Sequence, residues 1–216
     1  MAMFVPTPDA SANPRGNTLK GRQEGARRPE TRSKAMIRTN AERLVEDPIP
    51  SEVSVRPVSS KDREKLVRMI SRISPRTIYE RFHAPYPDVP RWALAGMLEA
   101  DHEDREALVA MVSDEIVGHA MYVRSQNGRE AEFAVVVEDG WQSRGVGRIL
   151  LTELAAKARS RGMDLFTGSV LGANRRALDA FAAVFPGMRY VVSDGAYQIH
   201  APLRTPPHKT LGERVA

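Results

Sequence analysis

The chain contains no cysteine, which excludes disulfides, thiolate metal ligation and a cysteine nucleophile or acyl carrier. No apolar run approaches the ~20 residues that a membrane helix needs. The opening MAMFVPTPDASANPRG also lacks the charged-then-apolar order of a signal peptide, so a soluble, cytoplasmic protein without a membrane partner is expected. The histidines, His83, His102, His119, His200 and His208, fall at no metal-ligand spacing, and no metal is expected. Ser143 and Ser169 lack the G-x-S-x-G context of a hydrolase nucleophile.

The charge leans positive, at +5 with a pI near 9.7, and its distribution matters more than its total. Residues 1–47 hold nine Lys and Arg against six acids, so over half of the excess lies in this segment. It is rich in Pro, Gly, Ser, Asn and Arg and poor in large apolar residues, which predicts a disordered basic tail over residues 1–50 with a short helix near Ser33 to Val45. A solvated tail is one reading. Contact with acidic partners is the other, and nucleic-acid binding through it would show steep salt dependence that vanishes on deleting residues 1–47.

At 216 residues the chain can form one well-cored domain plus tails, here placed at 51–203, with 204–216 a loose end. SEVSVRPV reads as a strand through Val53 and Val55. Lys61 to Arg72 has helical apolar spacing with Ser59, Ser60 and Asp62 as candidate caps. A second helical turn runs from Pro75 to Arg81, and the loop with Pro85, Pro87 and Pro90 precedes a helix from Trp92 to Ala100. Three strands follow, Glu106 to Val112, Glu115 to Arg124 and Glu130 to Val137, joined by turns at Ser113-Asp114 and Ser125 to Gly128: an antiparallel meander. A later strand, Met163 to Leu171, a helix, Asn174 to Phe185, and strands Met188 to Ser193 and Ala196 to Pro202 complete the domain.

The chain is organised around Ala131 to Gly162, AEFAVVVEDGWQSRGVGRILLTELAAKARSRG. A β-branched strand meets a glycine-containing turn that opens into a helix, with Val146, Leu150, Leu154, Ala155 and Ala158 on one face. A helix start leaves backbone N–H groups without intrahelical acceptors, and its dipole favours an anion there. Gly145 and Gly147 permit close approach, and Arg144 and Arg148 add charge, so a diphosphate fits. A P-loop is excluded because Val146 and Gly147 stand where Lys and Ser/Thr are required. The dinucleotide fingerprint fails for want of a third glycine.

Gln142-Ser143-Arg144-Gly145-Val146-Gly147 resembles the Q/R-x-x-G-x-G/A pyrophosphate loop of the GNAT superfamily of acyl-CoA-dependent N-acyltransferases. The order of elements resembles that fold too, across about residues 52–203. The resemblance implies an α/β (α+β) GNAT fold, a mixed, mostly antiparallel sheet of six or seven strands flanked by helices, with acetyl-CoA as cosubstrate held by the loop Gln142 to Arg148. It further implies that the strand before the loop splays from its neighbour through a bulge, so that backbone groups of Val135, Val136 and Val137 bind the pantetheine arm and stabilise the developing oxyanion. In such enzymes a glutamate about ten residues before the loop glutamine is the general base, and Glu132 stands there. An exposed strand-end glutamate is the alternative. Glu138 and Asp139 are expected to face water.

Asn174 in ANRRALDAFAAVFPGM matches the family's N-x-x-A segment, in which the asparagine contacts the coenzyme; it is equally a good helix N-cap. Where many members carry a tyrosine acid seven residues on, this chain has Phe181, which cannot donate a proton. No general acid is assigned, with Tyr79, Tyr122 and Tyr197 as remote substitutes. Finally, ISPRTIYERFHAP, Ile73 to Pro85, resembles a stretch of bacterial protein lysine acetyltransferases. It reads as an amphipathic turn with Ile78 and Phe82 inward and Arg76 and Arg81 outward, at the acceptor wall. The implied activity is acetyl transfer to a primary amine, a protein lysine foremost, with a small-molecule amine or a non-catalytic acyl-CoA sensor as alternatives and a homodimer left open.

Overall fold

The computed structural model describes residues 50–84, 86 and 91–203. The expectations for the N-terminal tail, most of the proline loop and residues 204–216 lie outside them. The chain order is β1 (Val53–Pro57), α1 (Arg63–Arg72), α2 (Pro75–Phe82), α3 (Arg91–Leu98), β2 (Arg105–Val112), β3 (Glu115–Arg124), β4 (Glu130–Val137), α4 (Val146–Ser160), β5 (Leu165–Leu171), α5 (Arg175–Val184), β6 (Arg189–Ser193) and β7 (Ala196–Pro202). Short 3-10 turns at Ser60–Asp62 and Asp139–Trp141 lead toward α1 and α4.

One seven-stranded sheet results, in the order β1-β2-β3-β4-β5-β7-β6. Only β4 and β5 pair in parallel, as the crossover through α4 requires; the other neighbours are antiparallel. Alternation along the strands sends side chains to two cores. On one face Tyr122, Phe133 and Phe166 pack with Leu150 and Leu154 of α4 and Phe181 of α5. On the other, Val109, Ile116 and Val136 pack with Leu66 and Met69 of α1, Ile78 and Phe82 of α2, and Met97 of α3.

The local signals explain most boundaries. Ser59 and Asp62 form a capping box, and Asp62 also pairs with Arg56 at 2.7 Å. Ser74 caps α2 with Pro75 at its first position, where the missing N–H costs nothing. The third helix ends at Leu98, two residues short of the expected Ala100.

Three expectations are corrected. Arg81 does not point outward: it is 5% exposed, its guanidinium lying 5.0 Å from the Phe82 ring centroid. At 3.6 residues per turn, the position three after Ile78 and beside Phe82 faces the sheet. Glu138 is half-buried rather than facing water, and Asp139, exposed as expected, is nevertheless held by protein donors. Glu138 accepts from Arg72 Nε at 3.0 Å, while Asp139 accepts from Ser74 N–H and hydroxyl, both at 2.8 Å, and from the Thr77 hydroxyl at 2.9 Å. The start of α2 abuts the end of β4, and its positive end takes the carboxylate. Burial opposes ionisation of Asp139, but these hydrogen bonds prevail and hold it below the usual carboxylate range. Last, the splay of β4 involves no bulge against β3: that register is unbroken from Gly118↔Val137 to Arg124↔Ala131. The bulge lies between β2 and β3, at Ala110/Met111.

Candidate active site

β4 and β5 are laddered over only three pairs, Glu130↔Leu165, Ala131↔Phe166 and Glu132↔Thr167. Beyond Glu132 the strands part, although β4 stays paired to β3 up to Val137 and β5 to β7 up to Leu171. The backbone edge of β4 beyond Glu132 therefore faces a wedge rather than a neighbour. A cavity of about 170 Å³ opens there, lined by Val135, Val136 and Val137 of β4, Gln142, Ser143, Gly145, Gly147 and Arg148 of the loop and α4, and Asn174, Arg176, Ala177 and Phe181 of α5.

The mouth of the wedge is the start of α4. Ser143 and Gly145 both take positive φ, 61° and 79°, turning the chain so that the helix begins without a side-chain cap at Gly145. For Gly145 that conformation is free of strain; for Ser143 it is not. The first turn of α4 thus lies at the cavity mouth without a cap from Gly145, and a Cβ on Gly147 would meet nothing closer than Val137 Cγ2 at 3.8 Å. The site suits an extended ligand with an anionic end: a helix start with Arg148 and Arg176 on one side, an apolar floor with an open strand edge behind it.

Gln142 is the clip of this loop. Its Nε2 donates to Val137 O at 2.9 Å and to Thr77 Oγ1 at 3.2 Å, while its Oε1 accepts from Arg176. Asn174 lies on the opposite rim as the N-cap of α5, accepting from Ala177 N–H at 3.1 Å and donating to Glu80 at 3.0 Å. The two readings of Asn174 are therefore compatible. Two expected residues are absent from the lining. Val146 is buried in the α4 core, so only its backbone can serve a ligand, and Arg144 lies over the Trp141 ring at 5.2 Å.

Glu132 is half-buried at the last ladder pair, the apex of the wedge, rather than in the cavity lining. Burial raises its carboxyl to about 7, opposed by the positive charge of Arg81. Phe181 lines the cavity and packs edge-on against Phe133, with centroids 5.0 Å apart. None of the three tyrosines lines either cavity. Tyr122 is buried and accepts from Arg161 at 2.8 Å, Tyr79 is exposed, and Tyr197 packs on Tyr190.

Sequence reasoning missed Thr77, Glu80 and Arg176, all of which line the cavity. One signal was available: Arg175 and Arg176 occupy the first turn of α5, where the helix dipole disfavours cations. Arg175 resolves this over the Tyr197 ring and Arg176 on Gln142.

Residues 69–185, more than half of the chain, match the family model described as Acetyltransferase (GNAT) family. The chain belongs to the GNAT acetyltransferases. Members of this family use acetyl-CoA as the acetyl donor, which agrees with the shape of the wedge. Among curated proteins, Acetyltransferase PA5475 of Pseudomonas aeruginosa is 29% identical over 63% of this chain and 76% of its own. Acetyltransferase Pat of Mycolicibacterium smegmatis is 30% identical over 64% of this chain, which spans only 45% of that relative. The crystal structure of the GNAT domain of S. lividans PAT superposes with a TM-score of 0.65 at 32% identity, covering 69% of this chain and 90% of that one. A Salmonella typhimurium protein, yncA, solved with its cofactor acetyl-CoA, shares the fold at 16% identity and a TM-score of 0.56, over 72% and 96% of the two chains. Among the described residues no group of His, Asp or Glu could hold a metal, and no helix is long and apolar enough to cross a membrane.

Proposed function

We propose that this GNAT acetyltransferase moves the acetyl group of acetyl-CoA to a protein lysine by direct transfer, in the cytoplasm, with residues 51–203 as the catalytic domain and Glu132 as general base. The observation that carries the reading is the parting of β4 and β5 at Glu132. A ligand whose diphosphate sits at the start of α4 and whose arm follows the open edge of β4 leads its reactive end to that apex. Bound acetyl-CoA supplies an activated acetyl thioester.

The chain supplies the rest. The N–H groups of the α4 first turn, with Arg148 and Arg176 on the cavity wall, hold the diphosphate. Backbone groups of Val135, Val136 and Val137 pair with the amides of the arm and offer an N–H to the acyl oxygen as it gains charge. Glu132 takes the proton of the incoming ammonium. With its carboxyl near 7 against ~10.4 for a free lysine, that transfer is uphill by about 5 kcal/mol, roughly 3 less than for an ordinary glutamate. Phe181 has no proton to give, and a leaving thiol of pKa ~8.5 departs without an enzymic acid.

A protein acceptor is supported by the openness of the sheet beyond Glu132. Among the described residues, the α1–α3 core draws nothing from β5, β6 or β7, and on that face Thr167 is half-buried and His200 exposed. A bulky acceptor can reach Glu132 from there.

The test is Glu132→Gln, which should keep acetyl-CoA affinity within about twofold while lowering turnover by 10²-fold or more; unchanged turnover removes Glu132 from the chemistry. Incubating the protein with acetyl-CoA and a cell lysate, followed by mass spectrometry, distinguishes acetylated lysine from acetylated small amines. Only the first agrees with the acceptor proposed.

A further inference from the structure

A buried arginine on α2 is costly unless its charge is used. Arg81 lies in the last turn of α2, over the face of the sheet that carries Glu132. Its Nη2 is 3.9 Å from Met121 Sδ, and it walls a second cavity together with Met121 and Val123 of β3, Met97 and Trp92 of α3. Val123 is the cross-strand partner of Glu132, and Met121 of Ala134, so the guanidinium hangs one strand away from the carboxylate in a water-poor space. Each of the two groups feels the other's charge.

We infer that Arg81 is a positioning residue for the acetyl-transfer reaction: its buried positive charge favours the ionised form of Glu132, the form that can accept a proton. The inference rests on the reading of Glu132 as the base.

The other groups around Glu132 do not do this work. On β3, His119 is fully buried, its Nε2 2.9 Å from Met97 O; burial drives its pKa down to about 4, so it stays neutral. On α2, Glu80 is engaged by Arg76 at 2.9 Å and by Asn174. On β5 the partner is the uncharged Thr167, and His200 of β7 lies one strand further and is exposed. Glu130 shares the β4 face and is itself acidic. At the far mouth of the second cavity, Glu99 and Arg105 neutralise each other at 3.1 Å. Among the described residues Arg81 is the cation whose charge opposes the effect of burial on the carboxylate, and without it burial would leave Glu132 protonated further up the pH scale.

The direct test titrates the Glu132 side-chain carbon by NMR in the full chain labelled with ¹³C-glutamate, the signal being assigned by its loss in Glu132→Gln. Arg81→Gln and Arg81→Met should move the midpoint up by about one pH unit or more, as expected for removing a neighbouring arginine, while Arg81→Lys stays within about 0.3 unit. In the same series the acid limb of kcat/KM should follow the NMR midpoint, with the variants recovering toward the wild-type rate above pH 9. A role in packing alone would lower the rate equally at every pH. A midpoint unchanged in Arg81→Gln overturns the inference, even where Arg81→Met fails to fold. If Glu132→Gln keeps full turnover, the base reading fails by itself, and the carbon titration still reports whether the two charges are coupled.

Discussion

Asn174 holds two helices at once: its Oδ1 accepts from Ala177 N–H at 3.1 Å, closing the start of α5, while its Nδ2 donates to Glu80 Oε2 of α2 at 3.0 Å. Both residues are buried, and they stand on the cavity rim opposite the clip that Gln142 makes with Thr77. The second helix is therefore tied to both sides of the wedge.

Separate substitutions divide the two roles of Asn174. Asn174→Ala loses cap and cross-link and should cost about 2 kcal/mol in urea unfolding. Asn174→Asp keeps a competent cap but sets two carboxylates face to face, and should be at least as destabilised as Asn174→Ala. Adding Glu80→Gln should restore most of the loss. If Asn174→Asp is as stable as wild type, the link to Glu80 contributes nothing.

At Gly147 the fold leaves room that a ligand would need. A Cβ there meets only Val137 Cγ2 at an ordinary 3.8 Å, so Gly147→Ala should fold with stability unchanged to within about 0.5 kcal/mol. If the diphosphate lies against this turn, acetyl-CoA affinity should fall tenfold or more by calorimetric titration. Equal affinity would place the diphosphate elsewhere.

Removing Asp139 should act at a distance. It accepts from Ser74 and Thr77 without lining the cavity. Asp139→Ala leaves these α2 donors without their acceptor and should cost about 2 kcal/mol. It should also weaken acetyl-CoA binding through Thr77 and Gln142, which a binding titration on the folded variant would show.

His119 sets part of the acid limit of stability. Burial lowers its folded pKa to about 4 against ~6.5 unfolded. The unfolded chain therefore binds a proton first as the pH falls, and stability present above pH 6.5 is lost between there and pH 4, by up to about 3 kcal/mol. Since His119→Gln retains a donor for Met97 O and removes the titration, its stability between pH 7 and pH 4.5 should decline less than that of the wild type in urea melts. Parallel declines would show that His119 is already protonated in the fold.

The loop from Gln142 to Gly147 was legible because its chemistry is local: two glycines, a strand before and a helical stripe after. The meander was legible for the same reason, from alternation and turn residues. Arg81 was not. Solvation normally carries an arginine on an amphipathic turn outward, and the sheet strand that this one packs against, β3 with Met121 and Val123, lies some forty residues away. The partners of Asp139 were not legible either, since nothing in EDG says that the start of α2 will arrive beside it. Thr77 and Glu80 become site residues only once α2 is laid across the wedge. The polar contacts that shape the rim are long-range, and residue spacing along the chain carries no record of them.

The three-pair seam between β4 and β5 also has a kinetic meaning. On one side β2 to β4 form a meander of adjacent hairpins that can assemble from near neighbours, with β1 added across three intervening helices; on the other, β5 with β7 and β6 makes a smaller sheet. Joining them demands the whole α4 crossover first, a costly loop closure for little ladder in return. The seam should be the last part of the sheet to zip and the first to open, with the amides of Glu130 to Glu132 exchanging deuterium faster than those in the middle of β2 and β3. Acetyl-CoA bound across the parted edges would act as a removable staple between two half-sheets, and the melting temperature should rise with its concentration.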